Sequence, residues 1–518
     1  MQVISAKEVV KLVPDGAWMV SQGMGAAAVA EELMLELENR FLETSHPTGL
    51  HWIHSSGQGY GDRGLNHLAH EGMLTWIIGG HYGPAWKVQE MVMNNKIQAY
   101  NWPQGVISCM FRDIAGRRPT LSKIGLHTFV DPRLEGGKLN ECTKEDIIKV
   151  ADVEGEEYLY YQQPPRLDFA FLRATYADEK GNISMEGEGA TFETLQVAEA
   201  FHNRGGKVVV QVKEIVKTGT LDPRLVHIPA QYVDYVVPAT DLSHNHMITF
   251  NIENEPAFCG DCRKVLEHKK TDTALTTKKI IGRRCLMELR PNSVINLGIG
   301  IPDGIGAVAD EEGMTGQFTL SVESGPIGGV PTSDKDFGCA YNPEAIIDQC
   351  AQFDGYDGGG LDMSFLGLAE VDPEGSLNVS KFGPKAMGAG GFINIAQSTH
   401  KVVFCGTLTA VGLKVEAKDG KLNILEEGKV HKFVSKLQQV TFSGPYAVEN
   451  GQEILYVTER AVFRLTKDGV MLTEIAPGID LQTQVLDQMD FTPLIAPDLK
   501  KMDARIFRQE PMGLATQS

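Results

Sequence analysis

A single glutamate, Glu323, ends a run of strand-forming residues in the stretch LSVESGPIGG at 320–329, and a loop of serine, proline and glycine follows it. By strand alternation Leu320 and Val322 fall on one face, while Ser321 and Glu323 fall on the other. Ligands of parallel α/β proteins bind beyond the carboxyl ends of the strands. The pattern therefore predicts that Glu323 lies at a ligand-binding edge, with a helix-capping or surface-paired glutamate as the alternative.

A glycine-rich stretch, NLGIGIPDGIG at 296–306, is the second candidate element, and its Gly298 precedes Glu323 in the chain. Such a strand-to-helix loop either holds a phosphate group with backbone N–H groups or is a plain tight turn. The dinucleotide pattern GxGxxG fails here, because Pro302 and Asp303 follow Gly300. The chain also has no GxxxxGK[ST] sequence, which excludes phosphate-loop nucleotide chemistry.

Composition narrows the class of protein. The 518 residues include 48 Lys and Arg against 67 Asp and Glu, a formal charge of −19, which disfavours a nucleic-acid partner. No apolar run is long enough to span a bilayer, and the first residues lack the layout of a signal peptide. We expect a cytoplasmic protein with no membrane partner. Cys259 and Cys262 lack a second cysteine pair to complete a zinc site, so we predict no metal.

The chain contains an internal repeat. LDFAFLRATYADEKGNIS begins at Leu167 and LDMSFLGLAEVDPEGSLN begins at Leu361. The offset between these two stretches also carries KVVVQV at Lys207 onto KVVFCG at Lys401. A match that extends through a strand, a turn and a second strand indicates duplication of one structural unit.

The starts of the two halves match more loosely. VPDGAWMVSQGMGAAAVAEEL and RPNSVINLGIGIPDGIGAVADEEG each predict a turn, an apolar strand, a glycine-rich loop and a helix. The first of these helices is indicated by an apolar stripe at i+4 spacing. Its members are Val29, Leu33, Leu37 and Phe41.

The alternation of strands and helices predicts an α/β fold of two homologous open domains with mostly parallel sheets. We place the N-terminal domain at 1–242, a polar linker at 243–277 and the C-terminal domain at 278–518. The tail adds strands and a β-hairpin whose turn contains Lys467-Asp468-Gly469.

These stretches resemble the signatures of the family I CoA-transferases. LSVESGPIGG is similar to the active-site signature with its nucleophilic glutamate, and DGAWMVSQGMG is similar to the N-terminal signature. NLGIGIP resembles the CoA-binding loop, PQG at 103–105 the oxyanion motif and GAGGF at 388–392 a second glycine motif. GLHTFVDPRLEGGKLN, YADEKGNISM and YDGGGLDMSFLGLAEVD resemble the short-chain acyl (propionate/acetate) CoA-transferases, which fuse both family domains in one chain.

The resemblance implies transfer of CoA from acetyl-, propionyl- or butyryl-CoA to a free short-chain carboxylate. Glu323 would be the nucleophile of a ping-pong reaction that passes through a glutamyl-CoA thioester. The Gln104 side-chain amide and the Gly391 backbone N–H would stabilise the oxyanion. Since these two come from different halves, we expect the site between the halves. No general base is needed, because a carboxylate is already ionised at neutral pH.

The resemblance also assigns a set of CoA-binding residues and further properties. No cofactor is implied, because CoA is a substrate, and a homo-oligomer is expected. Phosphate contacts are predicted at Lys381 and Lys385. The CoA-binding residues are Gly298, Ile299, Gly300, Ile301, Pro302, Gly388 and Lys381.

Two features of the chain depart from the two-subunit relatives. Val322 and Ser324 flank the glutamate where those relatives have Ser and Asn, and Asp362 replaces an amide. We interpret both as affecting the choice of acceptor. Two alternative functions are an acyl-CoA hydrolase on the same scaffold and a non-catalytic, small-molecule-sensing α/β protein, which would not need Glu323.

Overall fold

A computed structural model describes residues 1–266, 274–333 and 336–517. The chain forms two compact units. The first comprises Met1–Lys264, Val322–Asp354 and Lys381–Asn394, and the second comprises Val265–Ser321, Gly355–Ser380 and Ile395–Ser518. These units differ from the predicted boundaries, because two segments of the C-terminal half, including Glu323, pack with the first unit.

The first unit is built on a sheet whose eight successive strands are all parallel. Its central strands are apolar on both faces, as a sheet covered by helices on both sides requires, and Val208, Val209 and Val210 are fully buried. In spatial order the strands are Gln2–Val3, Tyr235–Pro238, Lys207–Val216, Phe169–Asp178, Trp18–Ser21, Leu50–His54, Leu74–Gly79 and Gln98–Asn101, with Ile183–Ser184 and Val226–Ile228 beside them.

The predicted first helix is confirmed as Glu31–Thr44, shortly after the start of the apolar stripe. Leu33 and Leu37 are fully buried in a core cluster with Trp52 and Phe171. The α-helices in the described residues are Ala6–Val9, Glu31–Thr44, Trp86–Met93, Gln104–Ala115, Thr194–Arg204, Leu242–Asn245, Pro256–Cys259, Thr277–Leu286, Gly304–Glu311, Gln349–Asp357, Phe392–Ser398, Gly444–Glu449 and Leu481–Gln484.

The second unit has its own sheet, parallel over its first five strands and then extended by an antiparallel hairpin. The predicted hairpin is confirmed, since Thr466 pairs with Gly469. In spatial order the strands are Thr319–Ser321, Val294–Leu297, Met363–Gly367, Lys401–Cys405, Glu453–Val457, Ala461–Thr466, Gly469–Ile475 and Leu494–Lys501.

The duplication is preserved in the strand register. Phe169 pairs with Lys207 in the first unit, and Met363 pairs with Lys401, the residues that the repeat aligns with them, in the second. The antiparallel return strands follow the same alignment, because Tyr176 opposes Ser184 and Glu370 opposes Asn378. The repeat therefore fixes both the element order and the pairing within each half.

The predicted linker is more structured than expected. Ile248 and Phe258 are buried against Met24 and Phe192, so the segment up to Lys264 belongs to the first unit. The apolar residues that anchor this segment are spaced irregularly, so they produce no periodic pattern in the sequence. Residues 267–273 of the predicted linker lie outside the described residues.

Shorter strands form hairpins and small sheets around the two main sheets. They are Gly59–Tyr60, Arg63–Gly64, Thr120–Ser122, Ile148–Val153, Glu156–Tyr161, Val330–Pro331, Ala340–Tyr341, Glu370–Val371, Leu377–Asn378, Lys381–Phe382, Lys385–Ala386, Thr409–Ala410, Lys414–Lys418, Lys421–Glu426 and Val430–His431. Two further strands, Pro326–Ile327 and Ala345–Ile346, follow Glu323 in the chain and pair with each other in antiparallel orientation.

Candidate active site

The carboxyl ends of the parallel strands in the first unit carry a group of buried polar residues. Asn101, at the end of its strand, is fully buried and donates hydrogen bonds from Nδ2 to the carbonyl oxygens of Gly79 (2.7 Å) and Gly80 (2.6 Å). Its Oδ1 accepts a hydrogen bond from the Ala389 N–H at 2.8 Å. Asn101 thus ties the glycine-rich segment near residue 390 to this edge of the sheet.

The two predicted oxyanion elements meet here. Gln104 is the first residue of its helix, and its backbone N–H donates to the Gly390 carbonyl at 2.9 Å. The Gly390 N–H in turn donates to the Gly80 carbonyl at 2.7 Å. A Cβ atom placed on Gly390 would lie 3.7 Å from Oε1 of Gln104. The structure therefore brings Gln104 and the segment that precedes Gly391 together, within the first unit.

Glu323 lies beside Gly391. A Cβ atom on Gly391 would lie 3.6 Å from Cγ of Glu323 and 3.4 Å from the Phe353 ring, so a side chain at this position would fill the space beside the carboxylate. Glu323 itself is 9% exposed. Glutamate is almost never this buried unless it is paired. All three predicted catalytic residues, Glu323, Gln104 and Gly391, belong to the first compact unit.

The local backbone around Glu323 differs from the extended strand that was expected. The strand ends at Ser321, and Glu323 occupies a turn in which the Gly325 N–H donates to the Val322 carbonyl at 3.0 Å. Gly325 has a φ of +125°, and a Cβ there would lie 1.9 Å from the Ile347 carbonyl oxygen. The expected alternation of faces is wrong, because a turn rather than a strand pairing presents the carboxylate.

The flanking Ser324 has a structural partner. It is fully buried, and its hydroxyl donates to the Gly338 carbonyl at 2.7 Å. The hydroxyl proton is thus committed to the backbone, and Ser324 anchors the turn that presents Glu323.

A network of buried polar side chains underlies Gln104, and sequence reasoning missed it. Gln104 donates from Nε2 to Oε1 of Gln349 at 3.2 Å, and Gln349 donates from Nε2 to Oε2 of Glu193 at 2.8 Å. Ser55 donates to Oε1 of Glu193 at 2.7 Å, and Ser108 lies 2.5 Å from Nε2 of Gln349. No motif identifies these residues, since Glu193 and Gln349 are 156 positions apart.

The remaining predicted residues have different environments. Gly388 has a φ of +84°, and a Cβ there would lie 2.9 Å from the Gly80 carbonyl oxygen, so the position requires glycine. Lys381 is half-buried in a short hairpin with Ala386. Burial lowers the pKa of His81, which neighbours Gly388, to about 4, so its imidazole is neutral at physiological pH.

The predicted CoA-binding loop belongs to the second unit. It joins the strand Val294–Leu297 to the helix Gly304–Glu311, as expected for a strand-to-helix loop. Gly300 has a φ of +94° with open space around its missing Cβ, and Ile299 is 54% exposed. The loop therefore presents backbone and one apolar side chain to solvent.

Asp362 has a structural role in the sheet, and its predicted influence on acceptor choice stays a prediction. Its Oδ2 accepts the Val294 N–H at 2.8 Å, and the equivalent Asp168 accepts the Trp18 N–H at 2.7 Å. In each half the aspartate backbone N–H also donates to the carbonyl of the same partner residue. Asp362 thus links the first residues of two neighbouring parallel strands by hydrogen bonds, and Asp168 does the same in the N-terminal half.

Other charged clusters have structural partners. His67 bonds to Glu31 and Glu38, and His70 bonds to Glu38. Within the described residues no group of three or more His, Cys, Asp or Glu side chains is arranged to bind a metal ion. Across the same ranges, no helix combines the length and apolar character needed to cross a membrane.

The fold and the site define a duplicated open α/β protein with an enclosed carboxylate on a glycine-lined turn. A profile of the family described as Coenzyme A transferase matches residues 3–239. The chain is 48% identical to the caffeate CoA-transferase of Acetobacterium woodii, covering 99% of this chain and 98% of that protein. It is 45% identical to the acetate CoA-transferase YdiF of Escherichia coli strain K12, covering 99% and 96%. The chain belongs to the coenzyme A transferase family.

Solved structures agree with this assignment. The apoenzyme of the acyl-CoA transferase YdiF from Escherichia coli O157:H7 superposes with a TM-score of 0.93 at 45% identity, over 99% of this chain and 97% of that one. A thioester complex of the same enzyme with CoA gives a TM-score of 0.92 at 44% identity. The α/β fold predicted from the sequence is therefore confirmed.

Proposed function

We propose that the protein transfers CoA between a short-chain acyl-CoA and a free short-chain carboxylate, with Glu323 as the covalent nucleophile. The observation that carries the proposal is the enclosed Glu323 side chain, whose Cγ lies 3.6 Å from the position a Cβ of Gly391 would occupy, one residue after the Gly390 carbonyl that accepts the Gln104 N–H. A solved relative described as a thioester complex with CoA supports a covalent route.

The reaction has two halves with the same chemistry. The Glu323 carboxylate attacks the thioester carbonyl, the C–S bond breaks, and a mixed anhydride and CoA thiolate form. The thiolate then attacks the glutamyl carbonyl, which releases the first carboxylic acid as its carboxylate and leaves the glutamyl-CoA thioester. The acceptor carboxylate repeats both steps in reverse order, so the kinetics are ping-pong.

Each step passes through a tetrahedral oxyanion that needs hydrogen-bond donors. The Gln104 amide and the Gly391 N–H are proposed for this role, and loss of one such donor costs on the order of 10²–10³ in rate. The backbone bond between Gln104 and Gly390 keeps the two donors in a fixed relation. Donors fixed before the reaction need no reorganisation as charge develops.

CoA binding is proposed for the loop 298–302, Gly388 and Lys381, where backbone N–H groups and a lysine suit a phosphate-bearing ligand. Lys385 is exposed on the same hairpin as Lys381 and is proposed as a further phosphate contact. A homo-oligomeric assembly and a cytoplasmic location belong to the same proposal. Light scattering coupled to size exclusion tests the assembly.

Mass spectrometry tests the covalent step. The protein is incubated with propionyl-CoA, digested, and searched for a CoA-sized adduct on the peptide that contains Glu323. The adduct should form in the wild type and in Glu344→Ala, a matched change of an exposed carboxylate in the same region. It should be absent from Glu323→Ala. A wild type without adduct would count against the proposed nucleophile.

A coupled assay with and without acetate separates transfer from hydrolysis. Transfer requires the acceptor, so consumption of propionyl-CoA beyond one equivalent per site should depend on added acetate. Continued CoA release without any carboxylate would instead identify a hydrolase. Failure to turn over in either condition would favour a sensing protein.

A further inference from the structure

Glu193 is a fully buried carboxylate for which the transfer reaction has no direct use. It lies immediately before the helix Thr194–Arg204 in the first unit. Both of its oxygens accept hydrogen bonds, Oε1 from Ser55 at 2.7 Å and Oε2 from Gln349 at 2.8 Å. A buried acid held by several partners is a costly feature, which points to a functional reason for keeping it.

The side-chain amide of Gln349 has acceptors around its nitrogen and donors around its oxygen. Its Nε2 carries two hydrogens and lies within hydrogen-bond distance of three oxygen atoms, namely Glu193 Oε2 (2.8 Å), Ser108 Oγ (2.5 Å) and Ser55 Oγ (3.1 Å). The Ser55 hydroxyl donates its own proton to Glu193, so its oxygen is an acceptor toward Gln349. Its Oε1 faces donors, namely Gln104 Nε2 at 3.2 Å and the Ser56 hydroxyl at 3.5 Å. This arrangement assigns the nitrogen and oxygen ends of the Gln349 amide.

An ionised carboxylate can only accept hydrogen bonds, whereas an amide can present either end. With a carboxylate at 193, the Gln349 nitrogen must face Glu193 and its oxygen must face Gln104. Gln104 must then direct its own nitrogen to Gln349, which leaves the second N–H of that nitrogen available for the substrate. The Glu193 carboxylate therefore sets which end of the Gln349 amide faces Gln104, and Gln349 in turn sets which end of the Gln104 amide faces it.

We propose that Glu193 is a positioning residue that, through Gln349, fixes the orientation of the Gln104 amide for oxyanion stabilisation. The inference rests on the proposed function, because it assumes that Gln104 is an oxyanion donor. It assigns Glu193 and Gln349 to the transfer reaction although neither lies beside the Glu323 carboxylate in any observed contact.

The surroundings of Glu193 add a pH dependence. Burial raises the pKa of Glu193 to about 7, against the lowering effect of the Ser55 hydrogen bond and with a further rise from the charge of Asp348. The groups that face it are Ser55, Ser108, Asp348 and the thiol of Cys350, whose pKa is raised well above its usual range. Below about pH 7 a protonated Glu193 can donate, and the orientation of Gln349 is no longer fixed.

The test compares Glu193→Gln with Glu32→Gln. Glu32 is also a buried carboxylate that accepts two hydrogen bonds, in its case from the backbone and hydroxyl of Thr240. Glu193→Gln should lower kcat about tenfold, because a charge-assisted hydrogen bond is about twice as strong as a neutral one. KM for acyl-CoA should stay within about twofold of the wild type. Glu32→Gln should share the change in Tm and keep kcat.

A pH profile and a double variant complete the test. Wild-type kcat should fall as pH drops through about 7, and Glu193→Gln should lack this limb. Because the two residues act in series, Glu193→Gln combined with Gln349→Met should lose no more activity than Gln349→Met alone. Multiplicative losses, or a wild-type kcat in Glu193→Gln, would overturn the positioning role.

Adduct formation distinguishes a failure of the proposed nucleophile, Glu323, from a failure of the proposed positioning residue, Glu193. A wild type that forms the Glu323 adduct while Glu193→Gln keeps full kcat overturns only the role of Glu193. A wild type that forms no adduct overturns the proposed nucleophile and, with it, the positioning role. If Glu193→Gln does not fold, Gln349→Met decides the matter, since it should show the same fall in kcat at an unchanged KM.

Discussion

Replacing Gly105 by alanine should disturb the site through one aromatic ring. Gly105 is the second residue of the helix that begins with Gln104, and a Cβ there would lie 2.6 Å from the Phe353 ring and 2.5 Å from Nδ2 of Asn394. Carbon atoms prefer separations of about 3.5–4.0 Å, so the ring must move by about 1 Å. The Phe353 ring also lies 3.4 Å from the Cβ position of Gly391, and Cγ of Glu323 lies 3.6 Å from that same position.

Two magnitudes follow for Gly105→Ala. Overpacking of this kind costs about 1–3 kcal/mol in the free energy of unfolding. A displacement of about 1 Å among the groups that position a reaction costs about 10²-fold in rate. We therefore expect kcat to fall by about two orders of magnitude in a protein that still folds, measured by steady-state transfer from propionyl-CoA to acetate alongside thermal unfolding.

Gly355→Ala is the matched control. Gly355 lies in the same helix as Phe353, and a Cβ there meets nothing within 4 Å. Alanine in a helix interior is favoured over glycine by roughly 0.5–1 kcal/mol, so this variant should be slightly more stable with unchanged kcat. A wild-type kcat in Gly105→Ala would refute the view that Phe353 forms a wall of the site.

Three further outcomes are expected. Burial disfavours a charged His67, but its hydrogen bonds to Glu31 and Glu38 outweigh that effect and raise its pKa to about 9. The stabilisation of the folded state by the charged His67 is complete below about pH 6.5 and is lost as pH rises through 9. His67→Asn should therefore cost about 3 kcal/mol at pH 6.5 and little at pH 10 in urea unfolding, and equal costs at both would contradict this. Gly325→Ala should abolish the Glu323 adduct, because its Cβ would lie 1.9 Å from the Ile347 carbonyl oxygen; an undiminished adduct yield would show that the turn can adjust. The exposed Cys262 should alkylate with iodoacetamide in the folded protein, whereas the fully buried Cys339 should react only after unfolding, as peptide mass mapping would reveal.

The parts of the fold that follow local rules could be predicted. The internal repeat anticipated the paired strands that contain Phe169 and Met363, and the stripe through Leu33 and Leu37 anticipated a helix. The family signatures brought Glu323, Gln104 and Gly391 forward as candidates. These elements depend on periodicity or on short motifs, both of which a single chain displays.

The parts that depend on distant residues could not be predicted. The bond between Glu193 and Gln349 joins residues 156 positions apart, and neither belongs to a motif. The turn at Glu323 depends on a glycine whose close neighbour, Ile347, comes from a separate segment further along the chain. The packing of Ile248 and Phe258 depends on core partners from Met24 to Cys339. Such contacts become visible only when the chain is folded.

The interleaved composition of the first unit constrains the order in which the chain can fold. Its core includes Cys339, its sheet edge is joined to Ala389 through Asn101, and its last segment ends at Asn394. Because synthesis proceeds from the N-terminus, the packing of the segment Met1–Lys264 can be completed only after the residues up to Asn394 have been synthesised. Domains that fold as units normally do so as they emerge, and exposed apolar surface favours aggregation meanwhile. A truncated chain ending at Lys264 should therefore collect in inclusion bodies, while the intact chain, with its late segments attached, closes its own core.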